Sequence, residues 1–410
     1  MPPSGARPLL AATLIVRDEA HQLADCLASL DGVVDEVVVY DTGSIDGTPE
    51  LARRAGARVL EGYWDDDFGR ARTAALGMTS AAWALCLDAD ERMVADAAVL
   101  RGLLLGRLDG LLLRVVNRDG RGTFLSDHPS LRIVRTAGAR WEGRVHEVLL
   151  LPDPEGLRRC LPMEIASVQH LGYRDGATVR RKAERNLRLC QLELDELHAA
   201  GSEDRTAGAR VLFNLARSAL ELDRRQLAVD ALEALREIVA AGPQRTAATG
   251  LLAQILLDTD GLERAALVLE AELRPQVDAR FADWLLAQAM ARLGRPAEAL
   301  TLLRRIDRLV DAAGVEKPLG PVLRARAVLA AGQGRLEEAR EALLGAMLDH
   351  GEITGNGPLL RALFADAPDA LDHRLRARTV GTAHPRYLPA VLAELDRHRD
   401  APTPVAQVGP

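Results

Sequence analysis

Apolar residues in the first 175 positions alternate between short strand-like runs and segments with helical spacing. The strand-like runs are rich in aliphatic residues and are Leu9–Val16, Glu36–Tyr40, Ala57–Leu60 and Trp83–Leu87. Helical segments lie between them: His21–Leu30, a helix that opens with Thr48 as its N-cap and Pro49 in its first turn, and Phe68–Met78. This βαβαβ order predicts a mostly parallel sheet covered by helices. Further strands are predicted at Leu111–Val116, Leu131–Val134, Val145–Leu150 and Ile165–His170.

From about Ala177 onward the pattern is helical almost without interruption. Turns that lead into amphipathic helices recur at intervals of about 33 to 40 residues, close to the ~34-residue period of tetratricopeptide (TPR) helical hairpins. Each recurring segment runs from a Gly or Asp to a helical Ala: Asp223 to Ala228, Gly261 to Ala266, Gly294 to Ala299 and Gly334 to Ala339. The pattern predicts an all-α, TPR-like domain, and a plain helical bundle is the alternative.

Composition narrows the class of protein. Hydrophobic residues make up 48% of the 410 residues but aromatic residues only 3%, which suits closely packed helices rich in Leu and Ala. The formal net charge of -7 gives no electrostatic reason to expect nucleic acid as a partner. The four cysteines form no CxxC pair, so we expect buried thiols in a reducing compartment.

The length predicts two or three domains. The apolar run at residues 8–16 is either a signal peptide or a buried first strand; a charged Arg17-Asp18-Glu19 follows it without a cleavage site, which favours the strand. No stretch approaches the ~20 apolar residues of a membrane span, so we expect no integral membrane segment and a cytoplasmic protein. The predicted parts are a loose tail (1–7), an α/β domain (8–176), a connecting helix (177–205), a TPR-like domain (206–400) and a second tail (401–410).

Two carboxylates leave the predicted core together at Asp88-Ala89-Asp90, directly after the strand Trp83–Leu87. Ligands of open α/β sheets bind at the carboxyl ends of strands. Because Mg²⁺ and Mn²⁺ favour oxygen ligands, often one or two carboxylates plus substrate phosphates, this pair can hold a metal against a diphosphate. The alternative is a solvated turn at a strand end.

Two further features accompany this pair. Asp41 ends the strand Glu36–Tyr40 and opens a Gly-containing turn, so it can accept a hydrogen bond from a nucleobase, or it only shapes the turn. Arg72 lies near a predicted helix start, where its planar fork suits a diphosphate; a solvated charge cluster is the alternative.

Taken in order, four motifs resemble the N-terminal half of bacterial family 2 glycosyltransferases with the GT-A fold: TLIVRDE, DEVVVYDTGSIDGT, WDDDFGRARTAAL and WALCLDADE. The similarity continues through LRIVR, WEGRVHEVL, HLGYRD and RKAERNLRL, over about the first 190 residues. Within that family, the sequence is similar to the branch that includes lipopolysaccharide-core and peptide S-glycosyltransferases, which are often fused to TPR repeats. The resemblance implies a GT-A domain with a Rossmann-like mixed sheet, followed by the helical repeats.

The resemblance also implies roles on the nucleotide side. Arg17 and Glu19 would lie beside the nucleotide, and Asp41 would contact the base, which is most often uracil in such enzymes. Thr42 would also bind the nucleotide-sugar. The family often has Lys-Asn-Glu where this chain has Arg17-Asp18-Glu19, so Asp18 adds a negative charge near an anionic ligand.

For the diphosphate, the resemblance implies that Arg72 faces it and that Asp88 and Asp90 hold Mn²⁺ or Mg²⁺, with Asp90 the direct ligand. His170 would complete the metal or diphosphate site. The donor implied is a nucleotide-diphosphate sugar, in particular a UDP-sugar.

Family 2 enzymes invert the anomeric centre, so one general base suffices. Glu142, His146 and Glu147 are the candidates, and the family's His-Glu pair favours the last two. If this segment is a strand, Glu142 and His146 share one face and Glu147 lies on the other.

These observations favour a metal-dependent inverting glycosyltransferase that acts on a peptide, protein or glycan (including glycolipid) acceptor, with the repeats binding the acceptor or a protein partner. The alternative is a TPR-type scaffold protein whose front domain is catalytically degenerate. A nucleotidyltransferase would need a Gly-rich phosphate loop after the first strand, and VRDEAHQL has no Gly.

Overall fold

The computed structural model describes residues 7–119, 122–171, 176–259, 261–275, 277–311, 316–381 and 387–397. The chain divides into two compact units, the first made of Met1–Glu203 and Arg217–Asp223, the second of Asp204–Ala216 and Arg224–Pro410. The two predicted tails lie outside the described residues, apart from Arg7.

A nine-stranded mixed sheet organises the first unit. Its strands are β1 (Leu10–Val16), β2 (Glu36–Asp41), β3 (Arg58–Glu61), β4 (Trp83–Leu87), β5 (Glu91–Ala95), β6 (Gly110–Arg118), β7 (Phe124–Arg135), β10 (Arg158–Cys160) and β11 (Ala166–Leu171). Strands β8 (Arg140–Glu142) and β9 (Val148–Leu150) form a separate hairpin. The order is β3-β2-β1-β4-β7-β6-β11-β5, with β10 paired to β6. The first four strands in this order are parallel, whereas β7 and β5 run antiparallel to their neighbours.

Helices connect the parallel strands, as the alternating pattern predicts. They are α1 (Ala20–Ala28), α2 (Thr48–Arg54) and α3 (Phe68–Gly77). Helix α4 (Ala97–Leu104) lies between β5 and β6, and α5 (Gly176–Ala199) follows β11. All five residues of β4 are buried, because a central parallel strand meets apolar side chains on both faces. An α/β domain with a mixed sheet is therefore confirmed.

Three local expectations were wrong. Gly47, in the left-handed region at φ 85°, is the N-cap of α2, and Thr48 is its first helical residue. The predicted strand Val145–Leu150 starts only at Val148, since His146 sits at φ 51° and interrupts extended backbone. Cys160 is exposed, whereas the other three cysteines are buried thiols as expected.

The second unit is built mainly of helices, with one small hairpin of β12 (Leu309–Val310) and β13 (Glu316–Lys317) that interrupts the helical pattern. Helix α6 (Arg205–Glu221) is divided between the units. The remaining helices are α7 (Arg225–Ile238), α8 (Pro243–Leu257), α9 (Leu262–Val268), α10 (Ala279–Arg292), α11 (Pro296–Leu303), α12 (Gly320–Gly332), α13 (Leu336–Leu344), α14 (Gly357–Leu363), α15 (Pro368–Gly381) and α16 (Leu388–Arg397). Helices α9 and α13 each run on into a π-helical turn.

The repeat anchors are turns between paired helices. Asp223, Gly294 and Gly334 all adopt positive φ, between 55° and 72°, and so end one helix before the next begins. The alanine five residues after each anchor is fully buried. In the second repeat the buried alanine is Ala265 rather than Ala266, so that repeat is offset by one residue from the predicted alignment. The helical-repeat prediction is otherwise confirmed.

Within the described ranges, no helix combines the length and the apolar character that a membrane crossing requires.

Candidate active site

A cavity of about 420 Å³ opens where the parallel strands β1, β2 and β4 end. Because these strands run in the same direction, the residues that follow them meet at one edge of the sheet. Six predicted site residues line the cavity: Arg17, Glu19, Thr42, Arg72, Asp88 and Asp90. The aromatic side chains of Trp64 and Phe68 complete one side, in an edge-to-face pair with ring centroids 4.7 Å apart.

The loops after β1 and β2 are tied together by hydrogen bonds. The Asp18 N–H donates to Ser44 Oγ at 2.8 Å, and the Ile45 N–H donates to Asp18 Oδ1 at 2.8 Å. The Glu19 N–H donates to Thr48 Oγ1 at 2.9 Å. Asp18, at φ 55°, thus has a local structural role at this position.

Asp41 lies at the end of β2 as predicted, but its carboxylate is used locally. Its oxygens accept hydrogen bonds from the N–H groups of Gly43 and Ser44, both at 2.9 Å, and from Ser44 Oγ at 2.5 Å. The residue is only 2% exposed. Asp41 therefore shapes the turn, while the adjacent Thr42 lines the cavity.

Arg72 joins two predicted parts of the site. Its Nη2 donates to Asp88 Oδ1 at 2.6 Å and its Nε donates to Glu147 Oε1 at 2.5 Å. The guanidinium also lies over the Trp141 ring, 5.2 Å from its centroid. Burial alone would raise the pKa of Asp88, but Arg72 and then Arg132 outweigh it and hold that pKa at about 2. Asp88 is thus kept ionised.

A close backbone contact holds Glu147 near Arg72. The N–H of Gly69, in the first turn of α3, donates to the Gly143 carbonyl at 3.1 Å. A Cβ at position 69 would lie 2.7 Å from that carbonyl oxygen, so the approach requires glycine. The loop between β8 and β9 is therefore packed on the helix that carries Arg72.

Asp90 and His170 come together through the pairing of β11 with β5 and β6. His170 Nε2 lies 3.2 Å from Asp90 Oδ2, and His170 Nδ1 lies 2.8 Å from Asn117 Oδ1. The hydrogen bond to Asp90, which outweighs partial burial, raises the pKa of His170. Since Asn117 accepts the Nδ1 proton, Nε2 is left directed at the Asp90 carboxylate.

These donors suit a divalent metal that is also bound by substrate. In the described part of the chain, no three His, Cys, Asp or Glu side chains are grouped as a complete metal site. Mg²⁺-type sites often need only one or two protein carboxylates because phosphates and water supply the rest. Asp90 with the Nε2 of His170 fits that requirement, whereas Asp88 is paired with Arg72.

Glu91 is a site residue that the sequence reasoning missed. Its side chain is buried, accepts the Asp88 N–H at 3.0 Å and pairs with Arg132 Nη2 at 2.6 Å. Burial, with a further contribution from Asp88, raises the pKa of Glu91 to about 7. Asn117 was missed as well. The charged residue directly after the DxD motif is a signal that could have identified Glu91, whereas Asn117 has no local signal in the sequence.

The three candidate bases occupy different environments, and none lines the cavity. Glu142 ends β8 with its side chain 45% exposed, so it does not share a strand with His146. Burial, followed by the charges of Arg217 and Arg185, lowers the pKa of His146 to about 4. Glu147 is 12% exposed and paired with Arg72.

Comparison with known proteins identifies the class of domain that carries this cavity. Residues 13–102 match the family model described as Glycosyl transferase family 2. A TPR repeat-containing protein of Synechococcus elongatus is 35% identical over 179 residues, covering 42% of this chain and 44% of that protein. The glycosyltransferase SunS of Bacillus subtilis is 26% identical over 196 residues, 45% of this chain and 44% of its own. The chain thus matches less than half the length of either relative.

A solved glucosyl-3-phosphoglycerate synthase of Mycobacterium tuberculosis, in complex with Mn²⁺, UDP and its product, is 23% identical with a TM-score of 0.22, covering 28% of this chain and 46% of that one. The match of residues 13–102 to the family model shows that the first unit carries a family 2 glycosyltransferase domain, as its motifs predict. A region with TPR-like helical pairs follows it.

Proposed function

We propose that the protein is a metal-dependent inverting glycosyltransferase. It moves a sugar from a nucleotide-diphosphate sugar, in particular a UDP-sugar, to a peptide, protein or glycan acceptor. The observation that carries the proposal is the cavity at the strand ends, where Asp88 and Asp90 meet Arg17, Glu19 and Thr42. The match to the glycosyltransferase family over residues 13–102 supports it.

In this proposal Asp90 and His170 hold Mn²⁺ or Mg²⁺ with the diphosphate of the donor. The metal, when bound, supplies positive charge against the departing diphosphate. Glu91 and Arg132 hold the Asp88–Asp90 turn in place, because Glu91 accepts the main-chain N–H of Asp88. The neighbouring Arg17, Glu19 and Thr42 would bind the nucleotide.

The acceptor then attacks the anomeric carbon while its proton passes to one general base. Glu147 is the base we favour, since Arg72 connects it directly to Asp88 and so orients it relative to the donor. The low pKa of His146 makes it a weaker base near neutral pH. Replacing Glu147 with Gln should lower kcat by about 10²- to 10⁴-fold, whereas the matching Glu142→Gln variant should stay within about threefold of wild type.

The second unit provides a surface for the acceptor or a protein partner. A cavity of about 280 Å³ lies between its helices and is lined mostly by apolar groups, including Trp284. Two arginines, Arg292 and Arg324, also line it. Helical repeats commonly bind extended peptides in such grooves. A mass-shift assay of candidate acceptors with wild type and Trp284→Ala should show slower transfer by the variant at subsaturating acceptor.

The central test is a thermal shift with UDP, GDP and ADP, each with and without Mn²⁺. A nucleotide present at 100 times its dissociation constant stabilises the fold by roughly 2.7 kcal/mol. Asp90→Ala should fold normally but lose both the Mn²⁺-dependent shift and donor turnover. Asp31→Ala is the control, because Asp31 is exposed and does not line the cavity.

Two results would count against the proposal. If no nucleotide stabilises the wild type, the scaffold interpretation is favoured. If Asp90→Ala turns over nucleotide-sugar at the wild-type rate, Asp90 does not hold the metal.

A further inference from the structure

The charges around the cavity are paired unevenly. Its four carboxylates each accept a hydrogen bond or ion pair from a protein group: Asp18, Glu19, Asp88 and Asp90. Arg72 is committed as well, since its Nε and Nη2 bond to two different carboxylates. Asp88 and Asp90 are thus paired with Arg72 and His170, whereas Asp18 and Glu19 accept hydrogen bonds from the neutral N–H of Ile45 and amide of Gln22. The best-buried cation of the cavity, Arg72, is already engaged.

In the described part of the chain, two cations on α5 line the cavity without such a partner. Lys182 and Arg185 line the cavity, and within the described ranges neither forms an ion pair with a carboxylate. Among the described residues, Arg185 donates to the side-chain oxygen of its neighbour Asn186, at 3.0 and 3.2 Å. Its guanidinium lies over the Phe68 ring, 4.8 Å from the centroid. The aromatic face supports the guanidinium plane without neutralising its charge.

The spacing of these cations gives them a common face. Residues three apart on a helix are surface neighbours, so Lys182 and Arg185 are directed to the same side of α5. Partial burial lowers the pKa of Arg185 below its ordinary value. The negative charge of Glu147 opposes this shift, and the positive charge of Arg188 adds to it. A partly buried cation that no carboxylate contacts is unfavourable in the free protein, and this favours binding of an anion.

We infer that Lys182 and Arg185 bind the phosphates of the donor, and that Arg72 is a positioning residue that holds Asp88 and Glu147. This inference rests on the proposed function, because a nucleotide-diphosphate sugar is the anion that would occupy the cavity. It gives the segment RKAERNLRL a role beyond that of a connecting helix.

The chemistry of transfer explains why cations are needed here. The acceptor's lone pair forms the new bond to the anomeric carbon, and its proton passes to the base. The bond between that carbon and the β-phosphate oxygen breaks, and its electron pair stays on the oxygen. The nucleoside diphosphate therefore leaves with one more negative charge than it carried in the donor, and an Arg fork and a Lys stabilise that charge.

The test compares binding of UDP and uridine in the presence of Mg²⁺, which, unlike Mn²⁺, does not broaden NMR signals. UDP is followed by titration calorimetry and uridine by ligand-detected NMR, which reaches millimolar affinities. Arg185→Gln should weaken UDP binding by about 10- to 100-fold, the range for losing a hydrogen bond to a charged group. Lys182→Gln should cost about three- to tenfold, because Lys182 is exposed and its charge is screened by salt. Uridine binding should stay unchanged in both variants.

Arg180→Gln is the matched control. Arg180 lies on the same helix but is exposed, pairs with Glu184 and does not line the cavity, so its replacement should change UDP binding less than twofold. Arg185→Lys keeps the charge but loses the planar fork, and should fall between wild type and Arg185→Gln. It also supplies the comparison if Arg185→Gln does not fold.

The outcomes separate the two proposals. If wild type binds no UDP, the proposed function fails and this inference fails with it. If wild type binds UDP and the α5 variants bind it equally well, only the inference is overturned. Loss of uridine binding together with UDP binding in Arg185→Gln would indicate a structural role and overturn it too.

Discussion

Arg72 offers the sharpest test of how this site is held together. It is 12% exposed and connects Asp88 to Glu147, which is also 12% exposed. In Arg72→Gln both carboxylates lose their cationic partner, and Glu147 remains in a largely dry environment. The variant should therefore be destabilised through an uncompensated charge and not only through lost packing on Trp141.

The magnitude follows from burial. Removing one partner of a buried ion pair costs about 3–5 kcal/mol. Asp88 is 40% exposed, so water partly solvates it after the change, and the lower end of that range applies. We expect Arg72→Gln to lower the free energy of unfolding by about 3 kcal/mol. Glu147→Gln in the same chain neutralises the stranded charge, so the double variant should recover about 1–2 kcal/mol of this loss.

Urea denaturation, followed by tryptophan fluorescence, measures the free energy of unfolding of the first unit, which contains Arg72. Trp64, Trp83 and Trp141 lie in the first unit, and Trp284→Phe removes the fourth fluorophore, which lies in the second. Two findings would refute the reasoning: a loss below 1 kcal/mol in Arg72→Gln, or a double variant whose cost equals the sum of the single variants.

Further predictions concern other parts of the chain. Gly69→Ala should lower the free energy of unfolding by about 1–3 kcal/mol and slow transfer, because a Cβ at position 69 would clash with the Gly143 carbonyl oxygen. Gly77→Ala on the same helix is the control: a Cβ there meets open space, so the change should be neutral or slightly stabilising. Equal effects of the two variants in urea denaturation would contradict this prediction. Glu338 lies between two arginines that, against partial burial, lower its pKa to about 2, so its contribution to stability is present above the ordinary pKa of about 4.5 and lost as pH falls through 2. Glu338→Gln should accordingly cost about 1–2 kcal/mol at pH 7 and flatten the acid loss of helicity seen by circular dichroism. A disulfide exchange reagent at pH 8 should modify one thiol of the native protein quickly, and Cys160→Ser should abolish that fast reaction; two fast thiols would disprove the assignment of exposure.

The elements of the α/β domain were predictable because strand and helix periods are local properties. The runs ending at Val16, Asp41 and Leu87 became parallel neighbours, and that alone placed the residues after them at one edge. The antiparallel β5 directly after the DxD motif was not predicted. It forms because β11 pairs with it, which brings His170 opposite Glu91, and no local pattern encodes a pairing between segments so far apart in sequence.

Side-chain partners were the least predictable feature of the site. Asp41 reads as a free carboxylate in the sequence, yet the turn that follows it takes up both of its oxygens. Arg72 reads as a cation for a diphosphate, yet two carboxylates from distant segments reach it first. Arg185, for which the sequence offers no clue, lines the cavity together with Lys182, and neither forms an ion pair with a carboxylate in the described part of the site.

By itself, the sequence determined the order of strands and helices, the repeat period and the grouping of Asp88 and Asp90 at a strand end. These follow from hydrophobic periodicity, turn residues and the direction of parallel strands, all of which act over a few residues. The tertiary structure decided which charges neutralise one another around the cavity. Ion pairing depends on distances of a few ångströms between segments far apart in the chain, and only the folded packing of α3, α5 and the β8–β9 loop sets those distances.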